Sequence, residues 1–134
     1  MVSHWSGQPF NSPNDLVVRR TDGSVWFTDP SYAHAQGLRA PPVLGEWVWR
    51  CQPPCTAEGG SGATGACASS AGVCEVVADG FHRPNGLAFS PDERTLYVTD
   101  TGYATGRGLD PAAPRSAKRH LCLYASYFCY VSFV

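Results

Sequence analysis

Three features are missing from this 134-residue chain, and each absence removes a class of protein. It has no excess of either charge: 10 Lys and Arg stand against 11 Asp and Glu, a net charge of −1. Binding driven by charge, to nucleic acid or to a membrane surface, is therefore not expected. It has no window in which apolar residues recur with the 3.6-residue period of an amphipathic helix, so a helical bundle is excluded. It also has no long apolar run. The most apolar stretch, Leu121 to Val134, is 14 residues, too few to span a bilayer. Met1 to Gly7 offers no basic segment followed by an apolar one and does not read as a signal peptide. The compartment, cytoplasmic or secreted, stays open.

What is plentiful points the other way. There are 14 glycines and 11 prolines, which suit many short strands joined by turns. The length fits one domain with a modest core. The class expected is all-β.

An internal repeat organises the chain. Pro13 to Asp29 reads PNDLVVRRTDGSVWFTD, and Pro84 to Asp100 reads PNGLAFSPDERTLYVTD. The copies align without a gap at an offset of 71 residues. Each has a Pro-Asn turn, a short strand, a polar turn and a second strand ending in Thr-Asp. Asp22-Gly23 supplies the positive φ of a tight turn in the first copy, and Pro91-Asp92 supplies turn chemistry in the second. Both copies are thus expected to be hairpins. Asn14 and Asn85 stand at the mouths of equivalent strands, where short side chains face a shared space.

Residues 1–12 read as the end of a preceding strand or loop, and 30–45 as a loop. Strands are expected near 15–19, 24–28, 46–50, 74–78, 86–89 and 95–99. Residues 51–73, rich in Gly, Ala, Ser and Cys, form an insertion whose 52–72 stretch is expected to be poorly ordered. Four antiparallel strands followed by the start of another set is the layout of a β-propeller blade and its successor, about one and a half blades. Trp26, Trp47 and Trp49 suit blade packing. Asp29 and Asp100 suit capping of backbone N–H groups, and His34 and His82 suit solvated or packing roles.

Cys51, Cys55, Cys67 and Cys74 are spaced C-x3-C-x11-C-x6-C. Disulfides within the insertion, free thiols in a reducing compartment, and a zinc site remain open. The last is disfavoured because no C-x2-C knuckle is present.

Residues 118–134 differ sharply from 1–117. Every basic residue before Lys118 is arginine, and from Leu121 onward there is no charge, glycine or proline. That change reads as a frame shift or read-through, a gene-model artefact, leaving the tail without a defined partner. An apolar strand or edge cap is the alternative.

The residues of both copies resemble the regucalcin/gluconolactonase family. They are Asn11 to Val18, Asp22 to Pro30, Arg83 to Glu93 and Leu96 to Gly102. Tyr32 to Arg39, with Gln36-Gly37, is similar to fungal lactonase-like members. The resemblance implies a six-bladed β-propeller with one divalent metal, Ca²⁺ or Zn²⁺, in its channel. It also implies hydrolysis of a small-molecule lactone or related ester by metal-activated water. By that resemblance Asn85 matches a metal ligand. Asn14 matches the residue facing metal and substrate, with a catalytic and substrate-binding role. Asp15 is implied as a catalytic residue beside it, reaching a second ion or a bound polar group. Two acidic ligands of the family have no counterpart here, so enzyme activity of this chain stays undecided and is expected to be low. Ser12 stands where some members carry a substrate-binding arginine. The other class compatible with the repeats is a non-catalytic propeller serving as a binding or scaffold module. There the asparagines would only form turns.

The chemistry suits those residue types. A hard cation takes oxygen ligands. An amide oxygen supplies one without neutralising the ion, which then polarises a carbonyl and acidifies bound water for a nearby carboxylate to deprotonate.

Overall fold

A computed structural model describes residues 3–52 and 73–102 in full, and 120–123 and 128–132 as backbone. The insertion at 53–72 lies outside the described residues, so its expected lack of order is not addressed.

Two four-stranded antiparallel sheets lie face to face. The first joins β3 (Leu16–Val18), β4 (Val25–Asp29), β5 (Trp47–Cys51) and β6 (Cys74–Ala78) in sequence order. Before it, β1 (His4–Trp5) and β2 (Gln8–Pro9) form a small hairpin where the end of a preceding strand or loop is expected. The second sheet contains β7 (Pro84–Phe89), β8 (Thr95–Asp100), β9 (His120–Leu123) and β10 (Phe128–Ser132) in the order β7-β8-β10-β9. All six expected strands are present within two residues of their expected ends. The 30–45 connection holds a single helical turn, α1 (Tyr32–Ala35).

The tail departs from expectation. It is not partnerless: β10 runs antiparallel to β8, pairing Phe128 with Thr99 and Ser132 with Thr95, and β9 pairs outside β10. An open β8 edge presents unpaired backbone groups, and an uncharged, proline-free segment is suited to pair with them. The strand met first in the chain takes the outer position, so this sheet is not the simple meander of the first.

Turn chemistry fixes the hairpins. Gly23 has φ +69° and donates to the Arg19 carbonyl at 2.9 Å. Asp22 accepts the Ser24 N–H at 3.0 Å. In the second copy the left-handed position falls on Glu93, φ +56°, which is unusual for a side chain other than glycine. Its carboxylate reaches across to the first hairpin turn. It accepts the Arg20 N–H at 2.8 Å, the Thr21 N–H at 3.0 Å, Arg20 Nε at 3.2 Å and the Thr21 hydroxyl. The Thr21 hydroxyl, followed by the Arg20 and Thr21 amides, holds the Glu93 carboxyl down at about 2.

Period-2 alternation sorts the side chains between two cores. Trp26, Val48, Val77, Ala78, Phe81, Leu96 and Val98 fill the space between the sheets, with Val17, Leu87 and Phe89 against them. Trp26 meets Phe89 edge to face at 5.2 Å. On the far face of the first sheet, Phe27, Trp49 and Cys51 pack under Phe10 and Leu44, flanked by Trp5 and Trp47. The tryptophans at strand spacing are blade packing, as expected. Cys51 and Cys74 are paired in register on β5 and β6 and form a disulfide across the neck of the insertion.

Candidate functional site

The repeat holds in space, contact by contact. At the end of β4, Asp29 is fully buried and accepts the N–H groups of Asn11 at 2.9 Å and Ser12 at 2.8 Å. At the end of β8, Asp100 accepts those of His82 at 2.9 Å and Arg83 at 2.8 Å. These two aspartates cap backbone as the Thr-Asp pattern predicts. Burial raises the Asp29 carboxyl above its usual range, against the pull of the Asn11 and Ser12 amides. One residue earlier, Thr28 Oγ1 accepts from the Asp15 N–H at 3.2 Å, and Thr99 Oγ1 from the Gly86 N–H at 2.8 Å. Each threonine sets the height at which the Pro-Asn turn enters its strand.

That frame brings the two asparagines together. Asn14 Nδ2 donates to Asn85 Oδ1 at 2.9 Å, although the residues are 71 apart in sequence. The ladder of the second sheet slips between Pro84 and Leu87, which takes Asn85 and Gly86 out of regular pairing. The backbone carbonyl of Asn85 accepts Thr28 Oγ1 at 2.7 Å, tying one blade to the next.

Asp15 completes the tie. Its Oδ1 accepts the Leu16 N–H at 2.9 Å, and its Oδ2 accepts the Leu87 N–H of the neighbouring blade at 3.0 Å. Both carboxylate oxygens are thus on backbone, where the resemblance implies a second ion or a polar group. Gly86, the counterpart of Asp15 in the repeat, leaves room for that carboxylate. A Cβ there would stand 3.3 Å from Thr99 Oγ1 and 3.7 Å from Asp15 Oδ2.

Two further residues, Tyr32 and Glu46, carry no motif that assigns them a role at the site. Tyr32, on α1, accepts from Asn85 Nδ2 at 3.0 Å and lies 2.5 Å from Thr101 Oγ1. Glu46 accepts the Ser31 N–H at 3.3 Å and also the Ser31 hydroxyl. Burial raises the Glu46 carboxyl, with Asp100 adding to the rise and the Ser31 hydrogen bonds and Arg83 opposing it. Tyr32 sits in a connection with no period, and only the fold carries it to Asn85, while Glu46, just before β5, has its carboxylate on Ser31. His34 is exposed, its ring nitrogen 3.2 Å from the Arg39 carbonyl.

The donor set was weighed against the divalent metal that the resemblance implies. Among the described residues no three His, Cys, Asp or Glu side chains come together as a ligand set. Two neutral amides and an aspartate already engaged by backbone do not complete a Ca²⁺ or Zn²⁺ sphere. The residues described do not fit such an ion by themselves.

Two antiparallel four-stranded sheets, packed face to face and carrying equivalent asparagines at one mouth, are adjacent blades of a β-propeller. Residues 1–113 match the SMP-30/gluconolactonase/LRE-like region, and the chain belongs to that family. It is 33% identical over 107 residues to a gluconolactonase of Zymomonas mobilis, covering 78% of this chain and 25% of that protein. It is 49% identical over 116 residues to lactonohydrolase oryH of Aspergillus oryzae, covering 87% and 19% respectively. A solved gluconolactonase from Xanthomonas campestris is 40% identical with a TM-score of 0.57, over 75% of this chain and 29% of that one. The chain thus spans a quarter or less of the length of these curated relatives.

Proposed function

We propose that this chain is part of a lactone-hydrolysing propeller, to which it contributes two of the amide groups at the channel mouth. The observation that carries this is the meeting of Asn14 and Asn85 across two blades at 2.9 Å. Family membership and the lactonase relatives support it. Asn85 is assigned an amide-oxygen position toward a divalent ion, with the carboxylate positions left to residues outside the described set. Whether that ion is Ca²⁺ or Zn²⁺ is for metal analysis to decide. Asn14, more exposed, is assigned to the substrate, its amide available to the lactone carbonyl or ring hydroxyls. Asp15, spanning Leu16 and Leu87, acts by holding the two mouths at this separation. Turn formation alone, as in a scaffold propeller, does not call for the two amides to meet.

The test replaces the homologous segment of the Zymomonas mobilis gluconolactonase with residues 10–102 and measures hydrolysis of a simple aldonolactone together with bound metal. The chimera should turn over. Asn85→Ala should lose the metal and most of the rate, and Asn14→Ala should lose rate more than metal. The 134-residue chain alone should show little turnover. A chimera that keeps its metal and full rate after Asn85→Ala overturns the proposal.

A further inference from the structure

An asparagine amide presents an oxygen on one side and an N–H₂ on the other, so its usefulness as an acceptor depends on which way it is turned. At Asn85 a chain of hydrogen bonds running out of the site decides this. Thr101 Oγ1 lies 3.3 Å from the Arg83 carbonyl, which can only accept, so the threonine hydroxyl spends its hydrogen there. Tyr32 Oη, 2.5 Å from the same Thr101 oxygen, must then donate to it. With its hydrogen committed, the tyrosine oxygen is an acceptor toward Asn85, and at 3.0 Å it can be met by Nδ2 but not by Oδ1. Asn85 Oδ1 is therefore left facing Asn14, which answers with its own Nδ2 at 2.9 Å. Asn14 Oδ1 is in turn directed away from Asn85. One carbonyl, Arg83, thus sets the polarity of four side chains.

We propose that Tyr32 is a positioning residue whose hydroxyl fixes the amide orientation of Asn85 and, through it, of Asn14. The inference deepens the function proposed above and rests on it for the use made of those amides, but the orientation itself stands on the bonding pattern. Tyr32 belongs to the β4–β5 connection of one blade, while Asn85 and Thr101 belong to the next. A hydroxyl reaching across the boundary therefore keeps an acceptor oxygen turned toward the mouth. Without it, no other acceptor among the described residues holds Asn85 Nδ2 in place, and the amide is free to present N–H where an electropositive ligand group needs oxygen.

The experiment is side-chain amide NMR on the ¹⁵N-labelled 134-residue chain. Wild type should show an Overhauser contact between an Asn85 Nδ2 proton and the Tyr32 ring, with the Asn85 and Asn14 amide pairs displaced from free-asparagine positions. Tyr32→Phe should abolish the contact and return both pairs toward free positions. Thr101→Val, which leaves the tyrosine hydrogen unspent, should do the same, and Thr101→Ser should restore the wild-type signals. The backbone N–H groups of Gly86 and Leu87, bonded to Thr99 and Asp15, report that the mouth is intact. Unchanged Asn85 and Asn14 amide signals in Tyr32→Phe, with those two reporters unmoved, overturn the proposal. If Tyr32→Phe does not fold, indistinguishable Asn85 and Asn14 signals in Thr101→Val and Thr101→Ser overturn it instead. Lactone turnover by the chimera answers separately for the function, so the two can fail independently.

Discussion

The Cys51–Cys74 disulfide closes the neck of the insertion, and its contribution follows from the chain it encloses. The two cysteines are separated by 23 residues. Cross-linking a loop of that length removes about 11 cal/mol/K of unfolded-chain entropy, or about 3.4 kcal/mol at room temperature. That is a large share of the stability of a domain this size, typically about 5–15 kcal/mol. The bridge also holds Cys51 against Trp49, which is fully buried, so its loss loosens the core beneath the β1–β2 hairpin. The perturbation is the double variant Cys51→Ala/Cys74→Ala, assayed by urea unfolding followed through tryptophan fluorescence. With a urea dependence of about 1–3 kcal/mol/M, the midpoint should fall by about 1–3 M. Peptide mapping under non-reducing conditions should recover Cys51 joined to Cys74. A midpoint unchanged within about 0.2 M, or a map joining Cys51 to Cys55, would refute the reasoning.

Further outcomes follow from the blade contacts. Glu93 has a depressed folded value, about 2 against an ordinary 4.5, so its contribution is complete above pH 4.5 and is lost as pH falls toward 2. Acid unfolding curves should show this loss in wild type and a flatter profile in Glu93→Gln. Thr28→Val leaves the Asp15 N–H and the Asn85 carbonyl unpaired and should cost about 2 kcal/mol in urea unfolding, with Thr28→Ser recovering most of it. Trp26→Ala empties a site only 2% exposed between the sheets and should cost about 3–5 kcal/mol by the same measurement. Gly86→Ala presses a methyl toward Thr99 Oγ1 at 3.3 Å and should shift the Leu87 N–H resonance by disturbing its bond to Asp15.

The strands and their turns are legible along the chain, because they depend on neighbours a few residues apart. Val25-Trp26-Phe27-Thr28 forms a strand through β-branched and aromatic side chains, and Gly23 turns the chain because its positive φ is open to glycine. The offset of 71 residues also makes Asn14 and Asn85 equivalent positions of the repeat. Asp29 and Asp100, ending equivalent strands, are marked by the same repeat as backbone caps. Contacts between residues with no local pattern to announce them arise only when the chain is folded. Tyr32 lies in a connection without period and reaches Asn85 because β4 and β5 pair and bring the two ends of that connection together, and the same pairing sets Glu46 against Ser31. The pairing of the tail is hidden for the same reason: its composition marks it as foreign to the repeat, but whether it finds a partner depends on an open edge at β8. Spacing likewise left the cysteines undecided among several fates, and the choice fell to the register that sets Cys51 opposite Cys74. Propensity and turn chemistry act along the chain. Edges, registers and shared mouths exist only once distant strands have been packed side by side.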